Sequence, residues 1–235
     1  MAYDSARRVV VLFGGDSTSA TYDSTTWEYD GTTWTRRTLP TSPPGRHSAA
    51  MAFDARRNVT VLFGGNSTSA TYDSTTWEYD GTTWTRRTPP TSPTGRNLAT
   101  MAYDSARGVV VLFGGDSTSA TYDSTTWEYD GTTWTRRTFA TPPTGRQRPT
   151  MAFDSARGRA VLYGGDSTSA TYDSTTWELD GTTWSRRSPA TSPTGRHSAT
   201  MVFDARRNVT VLFGGNSTSA TYDSTTWEYA PPATP

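Results

Sequence analysis

The stretch Ser17–Glu28, STSATYDSTTWE, returns without a change at residues 67–78, 117–128, 167–178 and 217–228. A fifty-residue period carried five times restricts the fold more than any other feature of the chain. A unit of that length cannot bury an apolar face alone. It has to stack on its neighbours, as in a solenoid, a propeller or an array.

One unit, from Arg46 to Thr88, divides into four strand-like pieces. His47–Phe53 is closed by the turn-like Asp54-Ala55-Arg56-Arg57-Asn58. Val59–Phe63 is β-branched and almost continuously apolar, as expected of a strand covered on both faces, and Gly64-Gly65 ends it. Thr75–Tyr79 alternates aromatic with polar, and Thr82–Arg87 follows the hairpin dipeptide Asp80-Gly81. No piece has a helical period, and Pro89, Pro90, Pro93 and Gly95 form the crossing to the next unit. Short antiparallel strands repeated in this way predict an all-β, five-bladed β-propeller of four-stranded antiparallel blades.

Asp-Gly leaves two registers open for the outer hairpin. A two-residue loop sets Trp27 opposite Trp34, whereas a loop of Asp30-Gly31-Thr32-Thr33 sets Tyr29 opposite Trp34. The turn chemistry of Asp-Gly favours the first, with a cross-strand Trp pair worth about 0.5–1 kcal/mol.

The double glycine after an apolar strand (VLFGG), the paired tryptophans (TTWEYDGTTW) and the lead-in PTGRHSAT together resemble the kelch repeat. The resemblance covers essentially the whole chain and is closest to the short-looped, near-identical repeats of bacterial kelch-like proteins, which are often secreted. It implies a propeller, although animal kelch rings usually have six or seven blades and a longer loop where Asp-Gly stands here.

The expected layout is one domain over 1–230, with blades at about 1–38, 46–88, 96–138, 146–188 and 196–230, then a Pro-rich tail at 231–235. The Gly-Thr-Thr-Trp strand occurs only four times (Trp34, Trp84, Trp134, Trp184), so the last blade should have three strands and an open outer edge. A monomeric ring is expected, with association through that edge as the alternative, or a piece of a larger ring closed by a second chain. FDARRNVTVLFGGN is identical at 53–66 and 203–216, a pattern that segment duplication leaves and imposed symmetry does not. The chain reads as recently amplified, so sameness between copies is no measure of functional need.

Composition removes several functions. The 22 basic and 22 acidic residues cancel, giving no global electrostatic attraction to nucleic acid or an anionic membrane. Cysteine is absent, which excludes disulfides, thiolate metal sites and thiol nucleophiles. No apolar run approaches the roughly 18 residues of a membrane span, and MAYDSARRVV does not read as a signal peptide. His47 and His197, the only histidines, make a poor metal site, and no cofactor motif or nucleophile–base arrangement is present. Glu28 and its copies sit between aromatics and need partners; Arg36-Arg37 on the next strand offers them.

In an up-and-down blade the connections alternate faces, so the long GGDSTSATYDST connection and the RRTLPTSPPGRHS crossing share one side. Functional loops are usually set on a rigid scaffold in this way. The loop hydroxyls either bond their own backbone or, with Tyr22 and its copies, offer a sugar-binding surface. Arg46, Arg96, Arg146 and Arg196 open the innermost strands and should lie near the channel mouth on that side. The positions after them are the most varied in the chain: His47, Asn97, Gln147 and His197, then Ser48, Leu98, Arg148 and Ser198. The candidate ligand-binding set is therefore Arg46, His47, Arg96, Asn97, Arg146, Gln147, Arg148, Arg196 and His197. A ring of arginines can grip carboxylate or phosphate groups, and the kelch resemblance implies acidic partners there. Alternatively each arginine pairs internally, with Asp16, Asp116, Asp166 or a neighbouring blade's carboxylate.

The resulting reading is a non-enzymatic scaffold or binding module for an unknown protein or carbohydrate ligand. A lectin-like propeller comes second and a propeller glycosidase or lyase third, since an active site would break the symmetry that every Asp and Glu type here obeys.

Overall fold

The computed structural model of the protein describes residues 1–16, 22–68, 72–118, 122–218 and 222–230. Every helix or strand element among them is a strand. The first blade pairs Ala2–Asp4, Val9–Gly15, Asp23–Tyr29 and Trp34–Arg37 in chain order. The second is Ala50–Asp54, Val59–Phe63, Thr76–Tyr79 and Trp84–Arg87, and the third and fourth repeat it fifty and a hundred residues on. The fifth has three strands, Thr200–Asp204, Val209–Phe213 and Thr226–Tyr229. All pairings are antiparallel, and the innermost strands of successive blades lie against one another. The protein is an all-β, five-bladed propeller.

Two local readings change. The expected first strand over 47–53 is broken, because Ser48 takes a left-handed φ of 57°. Arg46–His47 instead forms a separate two-stranded ribbon with Asn66–Ser67, and the blade strand restarts at Ala50. The outer hairpin has the other register: Tyr29 faces Trp34 and Trp27 faces Arg36, so no tryptophan pair forms. The reason is the Asp30 side chain. Its Oδ1 accepts from the N–H groups of Thr32 and Thr33, both at 2.8 Å, and holds a four-residue loop in which only Gly31 has a positive φ. A two-residue type I′ turn would need a positive φ at Asp30 as well. Tyr29 stacks on Trp34 instead, with centroids 5.1 Å apart.

The inner turns explain a sequence difference. Asn58 and Asn208 have φ of 55° and 53°, and Gly108 and Gly158, which tolerate the left-handed region, stand at the same place, while Arg8 adopts it in the first blade at 58°.

Between blades, the strand Val59–Phe63 is covered on both sides, with Val61 and Leu62 fully buried. The first three interfaces are each keyed by one tryptophan. Trp84 of the second blade meets Phe13 of the first edge-on at 5.2 Å, stacks on its own Tyr79 at 5.0 Å, and donates from Nε1 to Thr26 Oγ1 at 2.9 Å. Trp134 and Trp184 repeat this on Phe63 with Thr76 and on Phe113 with Thr126. Burying one such ring stabilises the interface by roughly 4–6 kcal/mol before ordering costs. Four apolar clusters fill the four interfaces from first blade to fifth.

The fifth-to-first interface is not sealed. Trp34 is 43% exposed on one end face, while Phe213 and Val202 are 49% and 59% exposed on the other. Among the described residues no hydrogen bond, ion pair or ring contact joins these two blades. Among the described residues, the first and fifth blades thus each leave one apolar face exposed.

Candidate protein-binding face

The site begins with the arginines. Arg46, Arg96, Arg146 and Arg196 are 1–2% exposed. Arg96 shows what they do. Its backbone N–H donates to Asp73 O and its carbonyl accepts from Gly65 N–H, both in the second blade. Its side chain reaches the third blade, with Nη1 donating to Gly114 O at 3.1 Å and Nη2 lying 3.1 Å from Asp123 Oδ2. One residue thus clamps two blades. The partners of the four arginines are Asp73, Asp123, Asp173 and Asp223, and not Asp16, Asp116 or Asp166. Burial pulls the Arg96 guanidinium below its ordinary pKa, and Asp123 works against that shift.

The two glycine motifs belong to the same device. A Cβ on Gly64 would sit 2.3 Å from Arg96 O, and one on Gly95 would sit 1.9 Å from Tyr72 O. VLFGG and PTGR are the two halves of one interlock.

With the guanidinium groups committed inward, the surface is made by the residues after them. Ser48, Leu98, Arg148 and Ser198 all have φ between 55° and 57°. They are strung together by backbone bonds from Leu98 N–H to Ser48 O, Arg148 N–H to Leu98 O and Ser198 N–H to Arg148 O, at 2.8–3.1 Å. Non-glycine residues in this region carry strain of order 1 kcal/mol and are found where structure or function holds them. Beside this string, His47, Gln147 and His197 are half-buried. Asn97 is enclosed and donates to Asn66 Oδ1 at 2.7 Å. Arg148 is half-exposed, with Nη1 3.4 Å from Asp166 Oδ2.

A tyrosine from the preceding blade borders His47, Gln147 and His197. Tyr22 meets His47 edge-on at 4.6 Å, and Tyr172 stacks on His197 at 5.3 Å. Gln147 Nε2 donates to Tyr122 OH at 3.4 Å, and Tyr72 OH donates to Asp116 Oδ2 at 3.2 Å. Burial lowers the His197 pKa, Arg148 adds to the shift and Asp166 opposes it. The face is a shelf of amide, imidazole and phenol groups with one accessible guanidinium. Much of the hydroxyl-rich loop that motivates sugar binding (17–21, 69–71, 119–121, 219–221) lies outside the described residues. In the fourth blade, Ala170 N–H donates to Ser167 Oγ at 3.0 Å, so that hydroxyl serves its own loop.

The opposite side of each blade carries the glutamates. Glu78 pairs with Arg87 at 2.7 Å, as the sequence suggests, and also with Arg57 from the inner turn, which it does not suggest. Asp54 fixes Arg57 through Nε at 2.7 Å, and the guanidinium lies 5.3 Å from the Tyr129 ring centroid of the next blade. These carboxylates are structural ties.

Fold and site together define a propeller of the kelch class, in which glycine pairs, tryptophans and a buried Arg–Asp clamp recur in every interior blade. The family described as the KLHDC2/KLHL20/DRC7 Kelch-repeats domain matches residues 1–215, and the chain belongs to that family. No curated protein sequence matches it. Kelch propellers are typically protein-binding modules and usually non-catalytic.

Proposed function

We propose that the protein is a non-enzymatic scaffold that binds a protein segment across the mouth formed by His47, Asn97, Gln147, Arg148 and His197. Arg46, Arg96, Arg146 and Arg196 hold that surface in place from beneath. The observation that carries this reading is where the sequence varies. In repeats otherwise nearly identical, the varied side chains gather at one end of the inner strands, on a strained backbone string rigidly tied between blades. A rigid shelf loses little freedom on binding, which favours affinity. Recognition there works through amide, imidazole and phenol hydrogen bonds, with Arg148 the one position suited to a carboxylate.

A random-peptide display library panned against the protein tests this. Enriched peptides should lose about tenfold or more in affinity on the Gln147→Ala/Arg148→Ala double variant. Peptides that bind both proteins alike place the site elsewhere. Enrichment of glycans on an array, in place of peptides, would favour the lectin reading.

A further inference from the structure

The fifth blade ends at Tyr229 without the tryptophan strand that the other four have. Where that tryptophan would lie there is a pocket open to solvent. Its walls include Val161, Tyr163, Met201, Leu212, Trp227 and Tyr229. The counterparts of these side chains 150 residues earlier, Val11, Phe13, Met51, Leu62, Trp77 and Tyr79, share one apolar cluster with the buried Trp84. Thr176, which also lines the pocket, corresponds to Thr26, Thr76 and Thr126, whose hydroxyls accept the indole N–H in the filled nests. Thr191, another lining residue, corresponds to Thr41 and Thr91, which donate to the carbonyl of the seated tryptophan.

Two further features match a missing strand. Among the described residues Thr226–Tyr229 has a partner, Val209–Phe213, on one side only, so its other edge offers a template for strand addition. Glu228 pairs with Arg207, yet lacks the outer-strand arginine that Glu78 and Glu178 receive from Arg87 and Arg187. The chain after Tyr229 reads Ala-Pro-Pro-Ala-Thr-Pro, whose prolines carry no N–H for a ladder.

We infer that the end of the fifth blade is a second docking site, separate from the mouth, for an extended strand of another protein bearing Trp-x-Arg-Arg. That strand pairs antiparallel with Thr226–Tyr229, seats its indole among Tyr163, Leu212 and Tyr229, donates the indole N–H to Thr176, and brings its last arginine to Glu228. The register follows the second blade, where Trp84 faces Tyr79 and Arg87 faces Thr76.

The probe is a fluorescein-labelled peptide Gly-Thr-Thr-Trp-Thr-Arg-Arg, the sequence of residues 81–87, titrated into the full chain and read by anisotropy. Saturable binding is expected. Replacing the peptide tryptophan by alanine should weaken it by about tenfold or more, and Glu228→Gln, at an exposed carboxylate, by a few-fold. A chain extended after Tyr229 with Asp-Gly-Thr-Thr-Trp-Thr-Arg-Arg fills its own pocket and should no longer bind. Absence of saturable binding, equal binding of the alanine peptide, or unchanged binding by the extended chain would each overturn the inference. So would a native dimer that Trp34→Ala dissociates, because the occupant would then be a second copy.

Discussion

Trp134 and Trp34 are the same residue in the same strand of the same repeat, each stacked on the tyrosine across its hairpin at about 5 Å. Trp134 is 1% exposed and Trp34 is 43% exposed. The difference lies outside the repeat: Trp134 has Phe63 and Thr76 of another blade against its outer face, and among the described residues Trp34 has only its own Tyr29 as a ring partner. The glutamates show the same contrast at the other end. The Glu78 side chain is 1% exposed between two arginines, and that of Glu228 is 47% exposed with one. A repeat thus fixes a shape, while the neighbouring blade decides what that shape contributes. Stability in such arrays is largely a sum of interface terms.

The contrast can be broken most directly at the tryptophans. Trp134→Ala should destabilise by about 3–5 kcal/mol, as for other large buried aromatics, and Trp34→Ala by about 1 kcal/mol or less. Urea unfolding of the two variants compares them, and equal losses would mean that the first blade is covered in solution. Next come the carboxylates. Glu78→Gln should cost about 2 kcal/mol, discounted because its arginines are partly solvated, and Glu228→Gln less than about 0.5 kcal/mol. Midpoints of the same urea curves decide this.

Acid gives a third, smaller test. Burial pushes the Glu178 carboxyl up, but Arg157 and Arg187 outweigh it and hold the group below its ordinary value. Burial acts the same way on Asp180, which the Thr182 and Thr183 bonds nevertheless bring down to about 2. A carboxylate depressed in the folded state binds fewer protons than in the unfolded chain. Its stabilisation is complete above the unfolded value, 4.5 for Glu and 3.8 for Asp, and is lost as pH falls through the folded one. Melting temperature should stay level from neutral pH to about 5 and fall between about 4.5 and 2. In Glu178→Gln that fall should be shallower, and an equal slope would remove the Arg157–Glu178–Arg187 tie from the account. Smallest is the mouth: Leu98→Gly should relieve left-handed strain and stabilise by about 0.5–1 kcal/mol in thermal melts. Destabilisation there would mean that the leucine side chain packs into the mouth.

Most of the strands, the blade count and the three-stranded last blade were legible in the residues themselves. Period-two alternation, β-branched runs, double glycines and repeat length act locally, and each copy restates them. What the sequence could not show depended on residues distant along the chain. Arg96 reads as a surface cation until Asp123 and the Gly65 amide close on it, and nothing in the spacing singles out Asp123 over Asp116. The outer hairpin turned on whether one Asp30 carboxylate would cap its own loop, a contest that Asp-Gly alone leaves undecided. Five copies of one text say how a blade is built. Only the packed molecule decides which faces meet a neighbour and which stay open, because burial belongs to a pair of surfaces and neither sequence segment holds it alone.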